Sequence, residues 1–251
     1  MKRLIFLFST LALILSSCEK TPMASFTIDT NDAVVGQPIS FINTSHNGEK
    51  FEWDFGDGYM SNDRSPVHTF ASTGSFKVLL TVSSGGGHSD EASLTVNVMI
   101  PTLLEIEVRE YYSEDVIPNA SILLYPTLTD WNSQTNSIVE GFTDTDGVAV
   151  FSNLDPYVYY VDVWEATHDN YTLANEDVGF IRTPEVLPHK INRFIAWVDV
   201  ADHSSGKKSG SREMVIKKLG RVFSNKIQPV SAAGTENWLE VYSRSVKMQL
   251  K

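Results

Sequence analysis

Hydrophobic and polar residues alternate along most of the chain. Phe26 and Ile28 lie two apart, as do Ile39 and Phe41, and Phe51, Trp53 and Phe55 alternate with Glu52 and Asp54. The same period runs through Phe76, Val78, Leu80 and Val82, and again through Leu94, Val96 and Val98. A period of two puts successive side chains on opposite faces of an extended strand. The glycine-rich stretch SSGGGHSD (83–90) predicts a hairpin connection between the last two strands. Short alternating strands divided by turn clusters, with no helical period, predict an antiparallel β-sandwich over residues 24–99.

Pro101 marks a junction, after which Leu104, Ile106 and Val108 begin a second alternating series. VIPNASILLYP (116–126) follows, then a longer run from Ile138 to Trp164 that turns at Asp146-Gly147. An Asp-Gly pair between strands is a strong hairpin signal, because both residues tolerate positive φ. The stretches around 178–181 and 192–200 read as later strands that complete a second antiparallel sandwich over 102–201. From Asp202 the chain is polar and rich in glycine and serine, as in a loop or linker. MVIKKLGRVF (214–223) and NWLEVYSRSVKMQL (237–250) both alternate as strands do, and the first also reads as a short amphipathic helix broken by Gly220. The predicted class is all-β: two tandem antiparallel sandwiches and a β-leaning C-terminal extension over 202–251.

The N-terminus changes the setting. Lys2 and Arg3 precede a twelve-residue apolar run, Leu4 to Leu15. That is too short for a membrane-spanning helix, which needs about 20 residues. A basic start, a short apolar middle and small residues before a break mark residues 1–17 as a secretory signal. Leu15-Ser16-Ser17-Cys18 resembles the lipobox of bacterial lipoproteins, and Cys18 is the sole cysteine of the chain. The alternative is an ordinary signal peptide with an incidental cysteine. The resemblance implies a mature protein that starts at Cys18, bears palmitate-type acyl chains there, and reaches its first strand through a spacer at 18–23. Two or more acyl chains hold a protein stably on a membrane where one is marginal. Glu19, rather than Asp, follows the cysteine, which by the same resemblance favours the outer membrane. Both its periplasmic and its outer face stay open.

Two further resemblances appear in the sandwiches. FINTS (41–45), Trp53-Asp54-Phe55-Gly56-Asp57-Gly58, HTF (68–70) and TGSFKVLLTV (73–82) resemble the PKD domain, an immunoglobulin-like sandwich. The second sandwich resembles the prealbumin-like domains called carboxypeptidase-regulatory-like or Cna-B-type. The matching stretches are Pro118 to Leu124, Thr143 to Leu154, and the strand from Tyr159. It departs from that pattern at Tyr157 and Val158, where the family usually places a glycine. Cna-B-type domains sometimes carry a Lys–Asn crosslink, but no lysine occurs between Lys77 and Lys190. The PKD resemblance implies interaction or spacer duty.

Charge and candidate chemistry narrow the function. The net charge of −11 over 251 residues argues against general nucleic-acid binding. From His203 onward, ten Lys and Arg face three Asp and Glu, a net of +7 that leaves −18 on the rest. Lys207, Lys208, Arg212, Lys217, Lys218 and Arg221 either meet an anionic surface or partner, or dock on the chain's own acidic body.

Six histidines, at 46, 68, 88, 168, 189 and 203, share no i, i+2 or i, i+4 spacing that would chelate a metal. The sequence has no nucleophile motif either. The expectation is therefore a non-enzymatic protein without a cofactor, whose partner is a cell-envelope protein or a polysaccharide. Asp144-Thr145-Asp146-Gly147 resembles the start of a calcium loop. Its later ligands are missing, so Asp144 and Asp146 are calcium candidates set against a plain hairpin. With Tyr159, Val161 and Val163 inward, Tyr160, Asp162 and Trp164 face outward as a platform on which a sugar ring could stack. The competing reading has a neighbouring segment covering that row. Within the PKD-like signature, Trp53 and Phe55 are expected to be buried and Gly56-Asp57-Gly58 to form a tight turn. Asp57 there accepts backbone amides, and Asp54 points away.

Overall fold

The structure is a computed structural model and describes residues 20–30, 32–201 and 237–249. The signal segment, Cys18 and the six basic residues from Lys207 to Arg221 lie outside the described residues. The chain divides between Val98 and Met99 into two compact units.

Among the described residues the first unit holds eight strands. They are β1 (Phe26–Ile28), β2 (Ala33–Val34), β3 (Pro38–Asn43), β4 (Lys50–Asp54), β5 (Met60–Ser61), β6 (Val67–Thr69), β7 (Gly74–Ser83) and β8 (Ser89–Met99). One sheet runs β1-β3-β6 and the other β2-β8-β7-β4-β5. The pairs β1/β3, β3/β6, β4/β5, β4/β7 and β7/β8 are all antiparallel. Phe41, Trp53, Phe70, Val78, Leu80 and Val82 are fully buried between the sheets. The rings of Phe41 and Trp53 meet edge-on at 5.8 Å. This is the alternation of the sequence turned into a core.

The second unit holds β9 (Leu103–Glu110), β10 (Ser121–Tyr125), β11 (Val139–Phe142), β12 (Val148–Ser152), β13 (Tyr160–Glu165), β14 (His168–Asp169) and β15 (Ile191–Val200). They pair in the order β11-β10-β13-β14-β15-β9-β12. The two-residue β14 joins the layers, so that the inner residues of β10 and β13 (Ile122, Leu124, Val161, Val163) face those of β9, β12 and β15 (Ile106, Ala149, Ala196). The sandwich is antiparallel except for β9 and β15, which pair in parallel from Ile191↔Leu103 to Val198↔Glu110.

Among the described residues, three helices cover what alternation alone leaves outside. Helix α1 (Leu128–Ser133) and helix α2 (Tyr171–Glu176), with the tight 3₁₀ turn at Val178–Phe180, lie between strands in sequence. Helix α3 (Trp238–Gln249) occupies the stretch expected to alternate as a strand. Three of its residues explain the difference. Trp238, Val241 and Tyr242 fall three and four apart on one helical face, and they pack on Ile100, Leu103, Val148, Val150 and Ile191. The described end of the C-terminal extension is therefore helical and belongs to the second sandwich. The stretch 178–181, expected as a strand, is the 3₁₀ turn.

Candidate functional site

Four places carry candidate chemistry. The first is the end of β4. Trp53 is fully buried, and its Nε1 donates to the Asp63 carbonyl at 2.9 Å. Phe55 is buried as well, and its ring stacks on His68 at 4.0 Å. Gly56 turns the chain at φ +77°, with Lys77 O only 2.8 Å from where a Cβ would sit. Asp54 Oδ1 caps the Gly56 amide, while Asp57 Oδ1 accepts from the Tyr59 amide. The second oxygen of Asp57 meets His68 Nε2 at 2.7 Å. The two carboxylates thus serve separate backbone groups. The aspartate–histidine pair fastens the turn to β6, a contact that sequence spacing alone did not reveal.

The second place is β13, where the structure corrects the expected platform. Asp162 is fully buried and Tyr160 and Trp164 are only partly exposed. Tyr160 packs with Leu123, Tyr125, Leu128, Trp131, Ala174 and Ile181 in a second apolar layer. Trp131 of α1 donates its Nε1 to the Val161 carbonyl at 3.1 Å. Asn170, fully buried ahead of α2, bonds the same carbonyl at 2.7 Å and receives the Val163 amide at 3.1 Å. Helices α1 and α2 therefore lie against Tyr160, one of the two rings of that row. The sequence does signal α1. Thr127 caps the Asp130 amide, and a threonine followed three residues later by an acid marks a helix start.

The third place is the turn between β11 and β12. These strands pair with β10 and β9 and not with each other, so the hairpin expected at Asp146-Gly147 is instead a turn from one layer of the sandwich to the other. Asp144 Oδ1 accepts the amides of Asp146 and Val148 at 2.9 and 3.1 Å, which closes the tight turn. Its Oδ2 lies 2.6 Å from Arg244 Nη2 of α3, and Asp146 lies 3.3 Å from the same nitrogen. A guanidinium thus stands where the calcium reading puts a cation. Among the described residues no three His, Cys, Asp or Glu side chains gather to hold a metal. Burial works against ionising Asp144, but the Arg244 hydrogen bond, the two amides and the nearby positive charge outweigh it. They hold its pKa below the ordinary carboxylate value.

The fourth place is the chain's entry into the first unit. Met23 and His46 exchange backbone hydrogen bonds at 2.9 and 3.0 Å, and Asn47 Nδ2 donates to the Thr21 carbonyl at 3.1 Å. The Ala24 amide meets Asp90 Oδ2 at 2.8 Å, beside the start of β8. An open polar cleft of about 560 Å³ adjoins this entry, lined by Lys20, Asn47, Glu49 and the glycine-rich turn at Ser84–Gly86.

With this geometry in view, the first unit is an immunoglobulin-like sandwich of the PKD class. Residues 19–100 match the model of the PKD domain, a non-catalytic module. The chain is 32% identical to collagenase ColA of Clostridium perfringens over 121 residues, which are 44% of this chain and 11% of the collagenase. It therefore spans about a tenth of that relative's length. Among solved structures, the PKD1 domain of Vibrio anguillarum Epp is 31% identical with a TM-score of 0.30, covering 33% of this chain and 99% of its own. The pilus 2b backbone protein of group B streptococcus is 9% identical with a TM-score of 0.37, covering 72% of this chain and 99% of its own. The PKD match supports a binding or structural module.

Proposed function

We propose that the chain is a non-enzymatic, lipid-anchored protein of the cell envelope that serves on the outer membrane as a spacer or accessory subunit for a protein partner. The observation that carries this reading is the route of the chain through its PKD unit. It enters at Met23 and Ala24, fastened to His46 and to Asp90 near the start of β8. It leaves through the far end of β8, eleven residues on. An extended strand rises about 3.3 Å per residue, so entry and exit stand roughly 30–35 Å apart at opposite ends of a rigid sandwich. A module threaded end to end in this way separates its N-terminal anchor from its own exit by a fixed length. The lipobox resemblance at Cys18 supplies the anchor in this reading. The glycan-binding alternative has less to rest on, because Asp162 is buried and Tyr160 packs against α1 and α2.

The test is copurification of the full chain from detergent-solubilised membranes, combined with protease shaving of intact cells. The reading expects the chain in the membrane fraction with a stoichiometric protein partner. Recovery as a soluble monomer from cells that process the signal segment would sink it. Shaving reports which side of the outer membrane the chain faces.

A further inference from the structure

We infer that one end of the PKD unit, built from the turns at 46–49 and 84–88, lies directly against the headgroup layer of the membrane. This rests on acylation at Cys18 and on the length of the tether. Cys18 stands three residues before Thr21 and five before Met23. A fully extended chain covers at most about 3.5 Å per residue, so the acylated residue lies within roughly 10 Å of Thr21 and 18 Å of Met23.

Those two residues are not free to move away from the sandwich. Thr21 O accepts from Asn47, and Met23 is bridged to His46 in both directions. The Glu49 amide in turn donates to Ser83 O at 2.8 Å, which places the 84–88 turn beside the 46–49 turn at the same end. Cys18 therefore holds this end of the unit by a leash shorter than the sandwich itself.

The surface at that end suits apposition to headgroups and not insertion. Lys20, Asn47, Glu49 and Ser84 line its open cleft. Met23, 62% exposed, is the large apolar side chain at the tether. A surface lined mainly by polar groups rests at the headgroup level, where hydrogen-bonding groups keep their partners. The opposite end of the sandwich carries the Gly56–Tyr59 turn, the 71–73 turn before β7 and the exit of β8. It is held off by the length of the strands, about 30 Å from the bilayer. A surface that must meet a partner away from the membrane is thus excluded from the 46–49 and 84–88 turns.

The experiment uses the acylated full chain in vesicles containing phospholipid with a nitroxide on its headgroup. An acylated Cys18 leaves no free thiol, so one introduced cysteine carries the only fluorophore. Gly86→Cys reports the tethered end and Ser72→Cys the opposite end, with melting curves confirming that each variant folds. The expected result is at least twofold quenching at position 86 and none at position 72. A fifteen-residue Gly/Ser insertion after Lys20 should abolish the quenching while the protein stays membrane-bound. Equal quenching at both positions, or none at position 86 in protein shown to carry acyl chains, overturns the inference. Failure of labelled palmitate to enter the wild-type chain, tested against Cys18→Ala, instead removes the anchoring reading beneath it.

Discussion

Arg244 and Asp144, a hundred residues apart, meet at 2.6 Å and tie helix α3 to the turn between β11 and β12. The pair flanks the apolar seam where Val241 packs on Val148 and Val150. These two valines point away from the interior of the sandwich by the parity of β12, yet both are buried. The docked helix accounts for an apolar run in β12 that a half-exposed strand would not need.

The ion pair sets a pH dependence. The native pKa of Asp144 lies below its unfolded value. Its contribution is therefore present in full above the unfolded value, near pH 4, and is lost as pH falls through the lower native value. Both side chains keep roughly 30% of their surface exposed, with 28% for Arg244 and 31% for Asp144. Solvent screening therefore limits the pair to about 1 kcal/mol. Arg244→Ala should lower the stability of the second unit by that amount at pH 7 and by clearly less at pH 3. Urea unfolding at the two pH values, with protease cleavage in α3 as a second readout, checks it. An equal loss at both would rule out a charge effect.

The two glycines of the PKD signature differ in what surrounds them. Both hold positive φ, +77° at Gly56 and +93° at Gly58. A Cβ at Gly56 would also press on Lys77 O at 2.8 Å, whereas nothing lies within 4 Å at Gly58. Gly58→Ala should cost the backbone strain alone, about 1 kcal/mol. Gly56→Ala adds an overpacking clash with backbone, for a total of roughly 2–3 kcal/mol. Thermal unfolding of the two variants in the full chain should rank them in that order, and equal shifts would count against the close approach to Lys77.

Asp57 should matter through His68 and not through any reacting ligand. Asp57→Ala removes the 2.7 Å contact and leaves a mostly buried imidazole without it, at a cost of about 1–2 kcal/mol. Asp57→Asn keeps an oxygen for the Tyr59 amide and should recover part of the loss. A double-mutant cycle of Asp57→Ala with His68→Ala, read by denaturant midpoint, tests the assignment, because an aspartate that serves only the Tyr59 amide would show no coupling to His68.

How much of this was legible in the sequence depends on where each residue finds its partner. Phe41, Trp53 and Val78 advertise their burial through a local period of two, and the all-β class follows from it. Asp146-Gly147 likewise carries its turn within two residues. The partners of Tyr160 come instead largely from α1 and α2. Those are six-residue helices, too short to show a period. Helix α3 misled for a different reason. Trp238, Leu239, Val241 and Val246 fit both a strand and a helix template over so short a span. The choice between them was made by the apolar strip of Leu103, Val148 and Val150 some ninety or more residues earlier. The Asp57–His68 contact needed the register of β3 with β6 before its two members could be placed together.

Trp164 offers the sharpest test between an exposed platform and a covered face. It is partly exposed and lies in β13, opposite Ser121 and Asp169. Its neighbours in the outward row are Tyr160, part of the helix-covered apolar layer, and Asp162, which has no exposure at all. A glycan platform requires planar rings open to solvent on one face, and in this row Tyr160 is packed against helices and Asp162 is buried. Removing the indole should then cost packing and leave recognition untouched. For a partly buried tryptophan the loss is about 2 kcal/mol, below the 3–5 kcal/mol typical of full burial. Trp164→Ala should lower the unfolding midpoint of the second unit and leave retention on immobilised polysaccharides unchanged. Loss of retention with an unchanged midpoint would restore the platform and displace the spacer reading.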